Sequence, residues 1–385
     1  MKKFTFRNGT TYAAQILNYC LTCSLMAITI PALSDTMINP SSSGTVKTIF
    51  PSSEGVLTIG RVQSQTDGAV TFGYPGAGVI FKTNSKQVFV HAQSSGDSSF
   101  LGIRIDKGKT HKIKLDTKLN KYLIFEQLDN TPHNIEIIHH SETWHGLVTL
   151  KAFVLYQGAL LTQVVPKKRI LVIGDSVTCG EGADIIRDQE DNKNTSWWNA
   201  FNSYGWRTAE ALNAQVQLVC HGGRGLIRSW NGKTDEQNAP DYYQLTYGLP
   251  DAPKWNQAQY SADLIVVSIG TNDFSLGIGP LPTEQAYVPP YVAFTQTLLS
   301  DHPGAHIVLT DGAIVNDFDD PARPQRSVLR NYLNKTKTQV GSNRVHVFHA
   351  GHFPGDSKDA HPTGPQHQLM SEELVAFVRK NIAGW

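Results

Sequence analysis

The sequence has little net charge, few cysteines and no long hydrophobic run, and each shortage excludes a class of protein. The formal net charge of +1 provides no global field that would recruit nucleic acid or an anionic membrane. Of the four cysteines, Cys20 and Cys23 fall in the N-terminal segment, and the spacing of Cys179 and Cys220 does not suggest a metal site. The one marked apolar run, at the N-terminus, is too short to span a bilayer. The composition, with 40% hydrophobic residues, is ordinary for a soluble globular protein, and 385 residues are enough for two domains.

The first 34 residues have the pattern of a secretory signal. The basic residues Lys2, Lys3 and Arg7 precede a short apolar stretch at residues 21–30, and small residues follow up to Ser34. A basic start, an apolar core and a small-residue cleavage site are the features of a signal peptide. We therefore expect residues 1–34 to be removed and the mature protein to be secreted or periplasmic.

Two cysteines remain in the predicted mature chain, Cys179 and Cys220. Each follows an apolar, strand-like run, and we expect the two runs to lie side by side. In an oxidising compartment such a pair can form a disulfide. The sequence leaves two alternatives open, a bridge or two buried thiols.

Hydrophobic and polar residues alternate with period two between residues 56 and 155, as in half-buried strands. The clearest examples are residues 101–105, 111–115 and 134–137, and turn-forming residues separate such segments. Short alternating segments without helical periodicity predict an antiparallel β-sandwich. We expect residues 35–160 to form this domain, as a jelly roll of about eight strands.

The second half of the chain combines continuous apolar runs with helix-like stretches. The apolar runs, typical of strands buried on both faces, are residues 170–173, 216–219, 264–267, 306–309 and 345–348. The helix-like stretches are residues 204–213, 291–300, 325–340 and 366–381. Alternating strands and helices predict a parallel sheet covered on both faces. We expect residues 166–385 to form an α/β domain with a flavodoxin-like, doubly wound sheet.

Four residues follow the predicted strands at the edge where such sheets bind ligands. Ser176 follows the first run and Gly223 the second. Asn272 follows the third run, and His361 lies in the loop after the last. A serine hydroxyl becomes a nucleophile when an imidazole removes its proton, so Ser176 is the predicted nucleophile and His361 the base. The N–H groups of Ser176 and Gly223 and the side chain of Asn272 can form an oxyanion hole.

This set resembles the four sequence blocks of the SGNH (GDSL-type) hydrolase superfamily, which supply serine, glycine, asparagine and histidine. The chain is also similar to carbohydrate esterase family 2, whose members carry a jelly-roll sandwich before the hydrolase domain. The stretches that match this family are residues 174–182, 203–205, 223–225 and 270–275. The resemblance implies a serine esterase that removes acetyl groups from plant-wall polysaccharides such as xylan or glucomannan.

One position departs from the superfamily pattern. The superfamily places an acid three residues before the histidine, but this chain has Lys358 there, and its nearest acid is Asp359, two residues before His361. In family 2 the serine and histidine can act as a dyad, with a backbone carbonyl orienting the imidazole. Asp359 is therefore a candidate catalytic partner that could contribute its carboxylate, its carbonyl or neither. Asp356 is a weaker candidate.

Tryptophans are concentrated between residues 194 and 255, and aromatic faces pack against the C–H faces of sugar rings. Trp230, beside the glycine turn, is the candidate for lining a substrate cleft, whereas Trp206 lies in a helix-like stretch and is expected in the core. The expected partner is an acetylated oligosaccharide or polysaccharide, bound by a monomer.

We expect neither a metal nor a cofactor. The adjacent residues His139 and His140 would point to opposite faces of a strand, which is poor geometry for chelation. Acyl transfer by a serine and a histidine needs no metal and no cofactor.

Two rival interpretations are not excluded by the sequence. The first is an enzyme of the same fold that acts as a lipase or thioesterase or on bacterial cell-wall sugars, although no long apolar insertion stands out between Gly180 and Trp255. The second is a carbohydrate-binding protein with an inactive hydrolase-like domain. The complete set of serine, glycine, asparagine and histidine argues against this second interpretation. The sequence does not identify the sugar or the acylated position.

Overall fold

The first part of the chain folds into antiparallel strands, and the computed structural model describes residues 45–184 and 194–385. The strands of this part are β1 (Val46–Ile49), β2 (Val56–Ile59), β3 (Gln63–Ser64), β4 (Val70–Phe72), β5 (Gly78–Thr83), β6 (Gln87–Ser94), β7 (Phe100–Ile105), β8 (His111–Lys114), β9 (Asn120–Glu126), β10 (His133–His139), β11 (Val148–Tyr156) and β12 (Leu160–Leu161). The predicted signal peptide, residues 1–34, lies outside the described residues.

These strands form two antiparallel sheets that pack face to face. The order is β3-β4-β11-β6-β9 in the first sheet, with β1 beside β11, and β12-β5-β10-β7-β8 in the second, with β2 beside β5. Alternation turns Val88, Val90 and Ala92 of β6 into the core. The rings of Phe81 and Phe153, one from each sheet, lie 5.0 Å apart between centroids. The predicted antiparallel sandwich is confirmed, with twelve strands where about eight were expected.

The second part contains one parallel sheet. Its strands are β13 (Lys168–Gly174), β14 (Ala214–Cys220), β15 (Leu264–Ser268), β16 (His306–Thr310) and β17 (Val345–Phe348). The strand order is β14-β13-β15-β16-β17, and every neighbouring pair is parallel. This order reverses at β13, as in flavodoxin-like sheets. The predicted doubly wound fold is confirmed.

Helices cover both faces of the parallel sheet. They are α1 (Ser176–Cys179), α2 (Tyr204–Ala211), α3 (Ala239–Tyr242), α4 (Glu284–Asp301), α5 (Gln325–Val340) and α6 (Gly364–Asn381). Short 3₁₀ helices occur at Thr143–His145, Thr195–Trp197, Ala200–Asn202 and Gln257–Gln259. Helices α4 and α5 share a core with Ile265 and Ile307 of the sheet, while α2 and α6 share a separate core with Val266 and Val308. Successive side chains of each strand therefore face opposite helical layers.

Helix α4 begins before the stretch that the sequence pattern predicted. Thr283 caps it by accepting the N–H of Ala286, and the helix then continues through Pro289 and Pro290. The sequence pattern placed the start of the helix after these two prolines, because proline in a helix interior usually breaks the helix. Among the described helices, none combines the length and the apolar character that crossing a membrane requires.

A buried arginine joins the sandwich to the α/β domain. The guanidinium of Arg61 donates from Nη1 to the carbonyl oxygens of Tyr243 and Leu245, at 2.6 Å each, and from Nε to Oε1 of Gln217 at 3.2 Å. Burial lowers the pKa of Arg61 to about 10, so the group stays charged at neutral pH. Polar contacts as well as apolar packing therefore fix the sandwich to the α/β domain.

Candidate active site

Ser176 lies at the carboxyl end of β13, where the strand order of the parallel sheet reverses. Asp175 caps helix α1 by accepting the N–H of Val177 at 3.1 Å, so Ser176 is the first helical residue. A Cβ at Gly174 would clash with the side chain of Thr178, which explains a glycine at the end of the strand. Burial raises the pKa of Asp175 to about 6. This strand, turn and helix hold the Ser176 hydroxyl at the edge of the sheet.

His361 contacts both the serine and an acid. Its Nε2 lies 2.9 Å from Oγ of Ser176, and its Nδ1 lies 2.9 Å from Oδ1 of Asp359. The same Oδ1 accepts the backbone N–H of His361 at 3.3 Å. Of the three alternatives for Asp359, the structure therefore shows its carboxylate in contact with the imidazole. The superfamily places its acid where this chain has Lys358. Here the acid that contacts the imidazole of His361 is Asp359, one position later.

A second carboxylate near His361 escaped the sequence analysis. Oε2 of Glu181 lies 3.4 Å from Nε2 of His361, on the side of the ring that faces Ser176. Donor atoms of Glu181, Asp359 and His361 lie within 4.8 Å of one another, so in the described part of the chain these side chains could hold a cation. Glu181 stands inside residues 174–182, which resemble the esterase family, and this was the signal that could have found it.

The predicted oxyanion-hole residues follow strands that pair with β13. Gly174 pairs with Cys220 of β14 and with Ser268 of β15, so the loops that carry Gly223 and Asn272 leave the sheet beside Ser176. The amide of Asn272 donates one N–H to the carbonyl oxygen of Arg224 at 2.9 Å, which fixes the amide and leaves its second N–H for a ligand.

Gly223 needs to be a glycine for two reasons. Its φ is +74°, in the left-handed region. A Cβ there would also lie 2.7 Å from Cδ1 of Trp230. The predicted cleft residue Trp230 is 61% exposed and lies directly against this turn. Trp206 is buried, as its helix-like surroundings predicted.

Asp273 holds the loop of the glycine turn in place through hydrogen bonds to its backbone. Its carboxylate accepts the backbone N–H groups of Leu226, Ile227 and Arg228 at 2.8–3.1 Å. Burial raises its pKa to about 6, and the three N–H groups oppose that shift. Asp273 is thus a scaffold residue that ties the third loop to the second.

The sandwich contributes a residue that the sequence did not reveal. Glu142, in the connection between β10 and β11, is 1% exposed and accepts the backbone N–H of Gly222 at 2.6 Å. It also accepts the indole N–H of Trp198 at 2.8 Å and that of Trp144 at 3.1 Å. A lone glutamate in a loop between strands has no local pattern, so only the packing of the two domains reveals this contact.

Cys179 and Cys220 form a disulfide, with their Cα atoms 5.5 Å apart. The bridge joins the end of helix α1 to the end of β14, immediately behind Ser176 and the glycine turn. Of the two alternatives that the sequence left open, the structure shows the bridge. It cross-links two of the loops that form the site.

A separate cavity lies away from this edge of the sheet. A cleft of about 680 Å³ is bordered by Ile59, Arg169, Trp206 and Trp255, at the amino ends of β13 and β14. None of the predicted site residues lines it. The groups that could carry out a reaction meet at the sheet edge that holds Ser176 and His361.

This edge can perform acyl transfer. A hydroxyl, an imidazole and a carboxylate stand in line, which is the arrangement that activates a serine nucleophile. N–H donors of a glycine turn and an asparagine side chain lie in loops that leave the sheet beside this hydroxyl, and a developing oxyanion needs such donors.

Two family models match the chain. The model described as Carbohydrate esterase 2 N-terminal matches residues 58–164, which lie in the sandwich and the segment after it. The model of the GDSL-like Lipase/Acylhydrolase family matches residues 172–369, from β13 into α6.

Similar proteins match most of the chain. A Cellvibrio japonicus protein named "Acetylxylan esterase / glucomannan deacetylase" is 45% identical over 340 residues, which are 88% of this chain and 92% of the relative. A solved family two carbohydrate esterase from Cellvibrio japonicus matches with a TM-score of 0.81 and 44% identity, over 88% of this chain and 98% of that one. A family two carbohydrate esterase from Clostridium thermocellum, solved in complex with cellohexaose, has the same fold with a TM-score of 0.76 and 22% identity, over 85% of this chain and 98% of that one.

Proposed function

Since the chain belongs to carbohydrate esterase family 2, we propose that it removes acetyl groups from plant-wall polysaccharides such as xylan or glucomannan. Family membership makes the protein a carboxylic ester hydrolase that acts on carbohydrate. The name of the relative with 45% identity, an acetylxylan esterase / glucomannan deacetylase, supports these substrates. The observation that carries the proposal is the 2.9 Å contact between Ser176 Oγ and His361 Nε2 at the ligand-binding edge of the sheet.

In the first half of the reaction, Ser176 Oγ attacks the acetyl carbonyl carbon while Nε2 of His361 takes the hydroxyl proton. Asp359 accepts the N–H at Nδ1 and stabilises the imidazolium. The N–H groups of Ser176, Gly223 and Asn272 bind the oxyanion, and losing one such donor typically costs about a hundred- to a thousandfold in rate. The imidazolium then gives its proton to the sugar oxygen, the ester C–O bond breaks, and an acetyl-serine remains.

In the second half, water replaces the sugar. Nε2 of His361 takes a proton from the water as its oxygen attacks the acetyl carbon, and the same donors bind the second oxyanion. The intermediate collapses when the proton returns to Oγ of Ser176, which releases acetic acid. Glu181, 3.4 Å from Nε2, faces the imidazolium in both halves and stabilises its charge.

Export from the cytoplasm belongs to the same proposal. The basic and apolar pattern of residues 1–34 supports a cleaved signal, and the Cys179–Cys220 disulfide supports an oxidising compartment. The sandwich is proposed to be a jelly roll, because the consecutive strands from β4 to β7 alternate between its two sheets. Mass measurement of the protein after export by a bacterial host tests the cleavage near Ser34, and an uncleaved N-terminus would contradict it.

Acetate release from acetylated xylan, acetylated glucomannan and bacterial cell-wall material tests the substrate. We expect release from the two plant polysaccharides and none from the cell-wall material. The same enzyme should hydrolyse 4-nitrophenyl acetate far faster than the octanoyl ester, because no long apolar insertion that could form a lid stands out in the sequence between Gly180 and Trp255. The inactive variant Ser176→Ala serves as the control for spontaneous hydrolysis. Preference for the octanoyl ester would favour a lipase, and a wild-type protein without esterase activity would favour a binding protein.

A further inference from the structure

The two exposed tryptophans of the described chain lie beside the same turn. All seven tryptophans of the sequence are among the described residues, and Trp144 and Trp230 are 54% and 61% exposed, whereas the other five are buried or half-buried. Trp230 packs against Gly223, and Trp144 is connected to Gly222 through Glu142. Large exposed aromatic side chains that gather in one place mark a binding surface.

Trp144 is exposed but held in one orientation. Its indole N–H donates to Oε2 of Glu142 at 3.1 Å. Its ring lies 3.7 Å from the ring of His145 between centroids and meets Trp198 edge-on at 6.2 Å. Burial lowers the pKa of His145 to about 3, so its neutral ring accepts the backbone N–H of Glu142 at 3.0 Å. An aromatic side chain fixed in this way loses little conformational entropy when it binds a ligand.

The same carboxylate links this indole to the reacting centre. Oε2 of Glu142 accepts both the N–H of Trp144 and the backbone N–H of Gly222, the latter at 2.6 Å. The next residue, Gly223, supplies one of the proposed oxyanion donors. Trp144 therefore stands two hydrogen bonds away from the turn that binds the ester carbonyl, although it belongs to the other domain.

We infer that Trp144 is a sugar-binding subsite that the sandwich contributes to the active site, where its exposed face stacks on a pyranose ring neighbouring the acetylated residue. The inference rests on the proposed function and names a part of its substrate site. The indole N–H is already bonded to Glu142, so Trp144 offers a ligand its π face rather than a hydrogen bond. A π face suits the apolar C–H face of a pyranose. Trp230 offers a second exposed aromatic surface from the α/β domain at the same turn.

Steady-state kinetics of Trp144→Ala, Trp144→Phe and the matched control Trp385→Ala test this subsite. The substrates are acetylated xylo-oligosaccharides and 4-nitrophenyl acetate, which has no neighbouring sugar. For Trp144→Ala we expect kcat/KM on the oligosaccharides to fall about tenfold, mainly through KM, and a clearly smaller loss on 4-nitrophenyl acetate. Trp144→Phe should keep most of the wild-type kcat/KM on the oligosaccharides. Trp385 lies at the C-terminus beside Lys168, and Trp385→Ala should leave kcat/KM on both substrates unchanged.

Calorimetric titration with unacetylated xylohexaose measures binding without turnover. In the Ser176→Ala background, Trp144→Ala should weaken xylohexaose binding about tenfold. Equal binding with and without Trp144, or equal losses of Trp144→Ala on both esters, would overturn the subsite and leave the proposed function intact. A wild-type protein that cleaves 4-nitrophenyl acetate but neither releases acetate from the oligosaccharides nor binds xylohexaose would overturn the proposed substrate, and the subsite with it.

Discussion

The two domains supply their functional residues in different ways. In the parallel-sheet domain, Ser176, Gly223 and Asn272 each follow a strand, and parallel strands end at one common edge. In the sandwich, Glu142 and Trp144 lie in a connection between antiparallel strands, and they reach the site only because the domains pack together. The comparison teaches that sheet topology positions the groups that react, whereas domain packing positions the groups that support them. Substitutions in the two domains should therefore differ in size and in kind.

The largest effect is expected from the residues that react. Ser176→Ala and His361→Ala should each lower kcat on 4-nitrophenyl acetate by about a thousandfold or more, because each removes a step of proton transfer or attack. The double variant should be no worse than either single variant, since the two side chains act as one unit. Ser342, a half-buried serine that accepts the N–H of Arg344, provides the matched control, and Ser342→Ala should keep full activity. Substantial activity in His361→Ala would rule out the proposed base.

A smaller loss is expected for the carboxylate behind the histidine. Asp359→Asn should lower kcat by about ten- to a hundredfold, because the neutral amide no longer stabilises the imidazolium. Asp356→Asn is the matched control in the same loop; its carboxylate accepts the backbone N–H groups of Lys358 and Asp359, and most activity should remain. Wild-type kcat in Asp359→Asn would mean that the 2.9 Å contact with Nδ1 does not contribute to catalysis.

Substitution of the sandwich residue Glu142 should lower kcat by a still smaller factor, and through the position of the glycine turn rather than through proton transfer. Glu142→Gln replaces one acceptor oxygen by an N–H₂ that faces bound N–H groups, so the Gly222–Gly223 turn loses its anchor. We expect kcat to fall about tenfold on small and polymeric esters alike, with little change in KM, as a positioning residue requires. Glu126→Gln, on a surface strand of the sandwich, is the matched control. A change confined to KM on the polymer would assign Glu142 to sugar binding instead.

The smallest effect concerns stability and again compares the domains. Burial lowers the pKa of His139 to about 4 and those of His145 and His367 to about 3, against about 6.5 in an unfolded chain. The unfolded state therefore binds more protons, and stability falls as pH drops below about 6.5. Each histidine should cost about 0.7 kcal/mol between pH 7 and pH 6, or about 2 kcal/mol together. Two of the three lie in the sandwich.

Urea unfolding at pH 7 and pH 6 measures this loss. Carboxylates with ordinary pKa values titrate below this range. Asp175 and Asp273, whose pKa values burial raises to about 6, take up protons in the folded state between pH 7 and pH 6 and offset about 0.7 kcal/mol of the loss. The histidines still dominate, and the expected net loss is about 1.3 kcal/mol. A free energy of unfolding that stays constant or rises from pH 7 to pH 6 would contradict the assignment of these three side chains as buried and neutral.

Local patterns determined the fold and the reacting residues of this protein. Alternation with period two specifies strands with one buried face, and continuous apolar runs specify strands buried on both. Once the second half is a parallel sheet, chirality and short connections leave few topologies. Ser176, Gly223, Asn272 and His361 could therefore be assigned to one edge from their positions after strands, before any coordinates.

Only the tertiary structure decided how that edge is completed. It shows that Asp359 reaches the imidazole with its carboxylate and that Cys179 and Cys220 are bridged. It also shows that Glu142 of the sandwich accepts hydrogen bonds from both Gly222 and Trp144. These contacts depend on side-chain directions and on the packing of loops that are distant in sequence. Periodicity reports which face of an element is buried, but it carries no information about which distant loop will meet that face.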